Sequence, residues 1–374
     1  FINTNLSFAS QGALFRQLNQ EASYMRSADV SVSTSAQLGN LLPSAWGVNM
    51  PVSVSHARTT TDPTFLDRTD VRADRLDGLR RTGSERTRVG VALSKRTPTA
   101  NPLLSLLVDG VALRFGYNTS STGTATTESN ARGVDGGLSY GRQLAAHELD
   151  ITPGFFGDVL RALLPRAIEN SELFRRLTDA RLRWSPTTIN FSTSYFSQYS
   201  QAYRYDGILE TSADASVTPT ESRRRGLDND ARIGFQPFES LSADLTVTSS
   251  RDLLAPQFST TKPDEQAAIA RARSTLGGMD IGWERSRTMS TRLDFRPMIA
   301  SWLRPSLTVT TRFSTDRNPS YIETIEVDGD SVPVLQRNFN ADRQVTRALV
   351  IDPRALTQAL FGQGATGGFL GRAL

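Results

Sequence analysis

Val111-Ala-Leu-Arg-Phe-Gly-Tyr-Asn118 is the stretch that decides the fold. Val111, Leu113, Phe115 and Tyr117 alternate with Ala112, Arg114, Gly116 and Asn118. Successive strand side chains point to opposite faces, so this segment is apolar on one side and small or charged on the other. The same period of two recurs at residues 30–38, 48–55, 89–94, 134–140, 189–195, 231–235, 241–247, 289–295 and 307–313, and more weakly at 3–9 and 338–345. Each run reads as one strand, which predicts about twelve strands, and with their flanks they suit the ~9–11 residues that cross a bilayer at a tilt.

The links between the runs differ in kind. Residues 11–28, 59–83, 119–131, 200–226, 253–278 and 316–335 are long and polar, whereas 41–46, 97–109, 236–240 and 297–305 are shorter and carry Pro and aromatic residues. Long loops at one end and short turns at the other are the pattern of an outer-membrane barrel, with the long loops outside the cell. Trp46, Trp184 and Trp302 fall at the short-turn end, where they read as membrane-interface aromatics on the periplasmic side. Tryptophans that cap a sandwich core are the competing reading. Residues 119–130, rich in Ser, Thr and Gly, read as a mobile loop tip, and Asp328-Gly329 between β-prone runs reads as a hairpin turn. One short-end link is long. Residues 145–186 carry helical spacing at 155–164 and 171–182, which predicts a periplasmic helical insertion that packs under the sheet; 356–360 reads likewise.

Composition narrows the function. The chain has 374 residues, no cysteine and two histidines, His56 and His147. That removes disulfide scaffolds, cysteine zinc sites, thiol nucleophiles and iron–sulfur clusters, and leaves little for a His-based metal site. No apolar run approaches the ~18 residues of a transmembrane helix, although a β-barrel needs none. The net charge of +4 comes from 42 basic and 38 acidic residues that are mixed along the chain, which gives no footprint for nucleic acid. The strand-like start at Phe1 and the Gly-Phe-Leu-Gly-Arg-Ala-Leu374 end read as an internal piece, residues 1–374, of a longer protein.

Motifs that suggest chemistry fail on context. Gly137-Leu-Ser139-Tyr-Gly141 matches a nucleophile elbow, but that site needs a strand-to-helix turn and Ser139 lies inside an alternating strand. Gly362-Gln-Gly364-Ala-Thr-Gly367 matches a dinucleotide fingerprint but follows a helix-like run rather than a strand. Asp62, Asp67, Asp70, Asp74 and Asp77 share one loop, yet arginines interleave and the spacing is not that of a calcium loop. Arg223-Arg-Arg225 reads as an exposed cluster in an outer loop, where guanidiniums also suit lipopolysaccharide phosphates. The reading is therefore of a protein without catalytic residues, metal or cofactor.

The charged strand residues carry more weight. Arg114, Asp135, Asp230, Arg232, Asp244, Arg292, Asp294 and Arg312 share the face opposite the apolar one. In a dry core they would be prohibitive, whereas facing a water-filled lumen they cost little. A soluble sheet with one solvated face accounts for them as well.

Several stretches resemble the SprA family of very large outer-membrane barrels. These are Asp29-Val-Ser-Val-Ser-Thr-Ser-Ala-Gln-Leu-Gly39, Leu42-Pro-Ser-Ala-Trp-Gly-Val48, Pro51-Val-Ser-Val-Ser55 and Asp62-Pro63. The likeness continues through Leu113-Arg-Phe-Gly-Tyr117, Arg132-Gly-Val-Asp-Gly-Gly-Leu-Ser-Tyr140, Trp184-Ser-Pro-Thr-Thr-Ile-Asn-Phe191 and Asp230-Ala-Arg-Ile-Gly-Phe235, in the family's order over most of the chain. The resemblance implies the translocon of type IX secretion, linked to gliding motility, which exports folded cargo proteins at the cell surface. It also implies a plug protein and a smaller barrel subunit at a lateral opening as partners.

The expectation is thus an all-β chain: an antiparallel up-and-down transmembrane β-barrel segment, an arc of a larger wall in the bacterial outer membrane, with short periplasmic helices. Two alternatives stay open. One is another outer-membrane barrel, for lipopolysaccharide assembly or as a receptor; the other is a soluble extracellular all-β interaction protein.

Overall fold

The structure, a computed structural model, describes residues 2–14, 16, 24–66, 71–76, 79–95, 98–99, 101–144, 148–150, 181–183, 185–207, 209–210, 217–297, 302–327 and 330–356. It begins with β1 (Ile2–Gln11), β2 (Met25–Gln37), a two-residue β3 (Val48–Asn49), β4 (Pro51–Pro63) and β5 (Thr82–Lys95). Helix α1 (Pro102–Val108) leads into β6 (Val111–Gly123) and β7 (Thr127–Gln143). The short β8 (Glu148–Asp150) and β9 (Arg181–Arg183) pair with each other. Then come β10 (Pro186–Arg204), β11 (Thr220–Phe238) and β12 (Leu241–Asp252). Helices α2 (Pro256–Ser259) and α3 (Pro263–Ala272) precede β13 (Arg273–Leu276), β14 (Met279–Phe295), β15 (Leu303–Val327) and β16 (Asp330–Ile351).

Twelve of these strands form one antiparallel path in the order β1-β2-β4-β5-β6-β7-β10-β11-β12-β14-β15-β16, with β3 on β5 and β13 on β14 beside it. The topology is up and down throughout, so every contact along the path is made between successive long strands. The strands that the alternation predicts are all present, and the chain is all-β as expected.

Register carries the alternation across the sheet. Leu6 faces Val32, Val54 faces Val89, and Val91 faces Phe115. Leu113 faces Leu138, Tyr140 faces Phe191, and Ile233 faces Leu245. Val247 faces Met289 and Leu293 faces Val309. A slip of one residue at any pair would throw that strand's apolar set to the wrong face. Among the described residues no second layer covers this face. Phe115 is 52% exposed and Leu293 37% exposed in the middle of the sheet.

Among the described residues the buried core is correspondingly small. Ala268 and Ile269 of α3 pack on Trp283 of β14 and Leu335 of β16, with Ala272 and Ile322 against them. This knot lies at the end of the sheet where β14, β15 and β16 run on past their neighbours.

Several link expectations are corrected. Residues 119–131 are not a loop tip: β6 and β7 run through them to a turn at 124–126. There the Thr124 hydroxyl accepts from the Thr126 and Thr127 N–H groups at 3.3 and 3.0 Å, a side-chain turn that the β-prone threonines close without a loop. Residues 316–335 are mostly a strand hairpin, with an irregularity between Arg317 and Ile322 and Val327 paired to Asp330 across the Asp328-Gly329 position. The short-end link 97–109 contains α1, and 253–278 contains α2, α3 and β13. Most of the expected helical insertion at 145–186 lies outside the described residues; within it, residues 148–150 and 181–183 are strand. Residues 353–356 are helical, and 357–360 lie outside the described residues.

Candidate functional site: the polar face of the sheet

The polar face is as continuous as the apolar one. Ser33 faces Ser55, Gly90 faces Gly116, and Arg114 faces Gly137. Ser192 faces Asp230, Gly234 faces Asp244, and Asp244 faces Arg292. Asp294 faces Thr308, and Arg312 faces Asp342. By this register Arg114, Asp135, Asp230, Arg232, Asp244, Arg292, Asp294 and Arg312 stand on one face, where the alternation placed them.

Short ion pairs join part of that set. The Arg232 guanidinium meets Asp244 at 2.9 Å and Arg292 meets Asp294 at 2.7 Å. Arg296 approaches Asp294 at 3.4 Å, and the Thr308 hydroxyl donates to the same carboxylate at 2.7 Å. Arg114, Asp135 and Arg312 make no ion pair among the described residues. Unpaired charges mid-strand are tolerable only where water reaches them.

Glycines keep this face low. The Asp135 carboxylate lies across the strand in the space that a Gly116 side chain would fill. Asn118 lies likewise over Gly133, Asn190 over Gly141, and the Phe196 ring over Gly226. Each long side chain therefore lies flat on its neighbour rather than standing off the sheet. Ser7 and Ser31, at 2.6 Å, continue this small-residue surface to the β1 end.

The ends of the sheet are built differently. At the short-connection end Trp46 is 59% exposed, and the Trp302 carbonyl accepts from the Asp352 N–H at 2.9 Å. Trp184 lies outside the described residues. Also at this end, Asp109 accepts from the Thr99 hydroxyl at 2.6 Å and the Thr99 N–H at 2.9 Å, and meets Lys95 at 3.3 Å. The Thr99 bonds, foremost, hold its carboxyl well below the usual carboxylate range.

At the long-connection end a clip missing from the sequence reading ties three links together. Arg80 lies 3.6 Å over the Tyr205 ring. It donates to the carbonyls of Ala125 at 2.5 Å, of Gly207 at 2.8 Å and of Glu210. Tyr205 is 3% exposed and donates to Glu128 at 2.9 Å. Burial, and then this bond to Glu128, push its phenol above the ordinary tyrosine range.

The apparent catalytic motifs do not assemble. Ser139 sits mid-strand in β7 on the polar face, 3.4 Å from the Ala112 carbonyl, with no turn into a helix. His147, Asp67, Asp70, Asp77 and the Gly362–Gly367 motif lie outside the described residues. Among the described residues no cluster of His, Asp and Glu is placed to hold a metal.

No family model matches the chain, and no curated protein matches it. A solved structure of a double mutant of the Serratia marcescens hemophore receptor HasR, in complex with its hemophore HasA and heme, resembles it distantly. The TM-score is 0.29 with 10% identity over 94% of this chain, which spans 56% of that one. A likeness at that level carries no argument about fold or function.

Proposed function

We propose that this chain is part of the wall of a large outer-membrane β-barrel, with its apolar face against lipid and its polar face lining a water-filled lumen. One observation carries the reading: a sheet twelve strands long is apolar in register on one face and polar on the other, and among the described residues no second layer covers either face, α3 packing only on the extended end of β14–β16. Exposed apolar patches on soluble monomers rarely exceed ~300–600 Å². Among the described residues no second layer interrupts this face from Leu6 to Val345, and on the last strand Arg343 and Arg347 stand on it beside Val345. On most strands its apolar positions span seven residues, as at Val111–Tyr117, 241–247 and 289–295, about 20 Å along the strand. With the flanking tyrosines that approaches the ~25 Å apolar band of outer-membrane barrels.

Among such barrels we favour a protein-conducting translocon of the type IX kind, the reading the resemblance to the SprA family supports. Cargo proteins, a plug protein and a smaller barrel are its partners on that reading. Trp46, Trp184 and Trp302 anchor the periplasmic interface, and the charged set from Arg114 to Arg312 faces the cargo path. The low, glycine-paved polar face suits passage of a large folded body, since a narrow selective pore needs side chains that project.

The test places single cysteines at Val52 and Ser53 of the full-length protein in its own cells. Val52 is expected to label from a lipid-phase reagent alone and Ser53 from a membrane-impermeant one. Labelling of both from water in a soluble fraction refutes the barrel. Depletion of the protein, followed by analysis of the secreted proteins, then tests the translocon: unchanged export refutes it and leaves a receptor or lipopolysaccharide-assembly barrel.

A further inference from the structure

We infer a binding site for the phosphorylated headgroup of an outer-leaflet glycolipid on the apolar side of β7, β10 and β11, just beyond the apolar band at the long-connection end. The inference rests on the membrane reading above and adds a ligand to it. Arg223, Arg224 and Arg225 are strand residues of β11 rather than loop residues, so alternation divides them. Arg223 pairs with Tyr199 and Arg225 with Ser197, on the face that carries Phe191 and Ile233, whereas Arg224 pairs with Gln198 on the polar face. Arg132 of β7 also pairs with Tyr199.

Their height follows from the register. Arg132 stands two residues beyond Val134, and Arg225 two beyond Leu227, each the last apolar side chain of its strand on that face. Two residues are about 7 Å of strand, which puts the guanidiniums at headgroup level if the band fills the hydrocarbon. The Arg132 and Arg223 guanidiniums both sit 5.1 Å from the Tyr199 ring centroid, one from each side in the sheet. Arg225 lies 5.6 Å from the Tyr195 ring and donates to its hydroxyl at 3.0 Å.

Charge balance selects the ligand. Glu221 takes Arg223 at 3.0 Å and also accepts from the Tyr199 hydroxyl at 2.8 Å. Arg132 and Arg225 make no ion pair among the described residues; the charge of Arg225 also acts on Asp280, a carboxylate that Arg273 already holds at 2.6 Å. Counting Arg273 and Asp280 with this group, four guanidiniums stand against two carboxylates, and Arg132 and Arg225, each near a tyrosine ring, leave forked donors for an anion that binds two of them at once. A phosphate carried on acyl chains is the anion found at that height, with its hydrocarbon against the apolar face below.

The test uses the full-length protein in phosphatidylcholine nanodiscs, with bisphosphorylated lipid A as probe and its dephosphorylated form as comparison. The double variant Arg132→Gln/Arg225→Gln is expected to weaken retention of bisphosphorylated lipid A about tenfold or more. Arg224→Gln, one residue away on the other face, leaves retention unchanged. Equal loss with Arg224→Gln, equal retention of dephosphorylated lipid A, or full displacement by millimolar inorganic phosphate each overturns the site while leaving the barrel standing. Failure of the wild-type protein to enter nanodiscs refutes the barrel, and the site with it.

Discussion

Leu293→Arg is the most direct challenge to the assignment of faces. Leu293 lies near the C-terminal end of β14 but inside its apolar run 289–295, between Ala243 of β12 and Val309 of β15, and is 37% exposed on the apolar face. Phe295 and Met289 on the same face bracket it toward the two ends of the band. An arginine on the lipid face costs about 2–4 kcal/mol at the bilayer midplane and falls toward zero near the interfaces. Leu293→Arg in the full-length protein should therefore lower the folded-to-unfolded ratio in vesicles by about 30- to 900-fold. The control is Ser192→Arg, on the polar face between Ser139 and Asp230, where the new guanidinium finds a carboxylate across the strand. That change should stay within about 0.5 kcal/mol of wild type. The assay is equilibrium urea titration of refolding into phosphatidylcholine vesicles, with the protease-protected fraction as readout. A Leu293→Arg protein as stable as wild type would refute the reasoning, because it places this face in water. A second refutation comes from brominated lipids. If Leu293→Arg costs the expected amount but a fluorophore at Leu293→Cys is not quenched, a protein layer rather than lipid covers the face.

Three further outcomes follow from the long-connection end. Arg80→Ala removes a ring contact and charged donors to three carbonyls; amide exchange at 124–127 and 205–207 should quicken about 30-fold, a loss near 2 kcal/mol, with the sheet below unaffected. The Tyr205 phenol, raised by burial and by Glu128, should ionise above the ordinary tyrosine range near 10. Its contribution to stability is then present below that pH and is lost as pH rises through the raised value; phenolate absorbance against Tyr205→Phe reads it. Trp283→Ala opens a cavity where the indole is 1% exposed against Ile269 and Leu335, and should cost about 3–5 kcal/mol locally, seen as proteolysis of α3 while β1–β7 remain protected.

The strands were legible because period two is a local signal that tertiary context reinforces. Val111–Tyr117 or 241–247 can bury or expose its apolar set in only one way, and the register agrees across the whole path. Strand ends were not legible, since Ser and Thr serve a turn and a strand edge equally well. The stretch at 119–131 is a strand pair because Thr124 caps its own turn. Helix α3 left readable marks, with Pro263 at its start, Asp264 and Glu265 in the first turn and Arg271 in the last, yet the surrounding polarity hid it as a loop. The burial of Trp283 has no local signal, because its partner Ile269 lies on that helix. The Arg80 clip was out of reach for a different reason: its acceptors lie 45 and 127 residues away, and no local pattern encodes such a meeting. The split of Arg223, Arg224 and Arg225 between two faces needed only the knowledge that β11 begins at Thr220.

The sheet also constrains what must lie beside it. Among the described residues β1 pairs with β2 alone and β16 with β15 alone, so each leaves one row of backbone N–H and C=O groups without a strand partner. In hydrocarbon such groups cost several kcal/mol each, so a membrane wall cannot end at either strand. The two edges differ in what they present. On the apolar face β1 carries Ile2, Leu6 and Phe8, all well exposed, which continue the lipid-facing band. The same face of β16 carries Arg343 and Arg347, opposite Thr311 and Leu307, with no ion-pair partner among the described residues. Two arginines inside the band would each cost on the scale set for Leu293→Arg, less for Arg347, which is nearer the interface. The opposite edge bears no such charge. On the membrane reading the wall therefore continues beyond β1 as lipid-facing sheet, whereas at β16 its outer face turns from hydrocarbon toward water or another polypeptide.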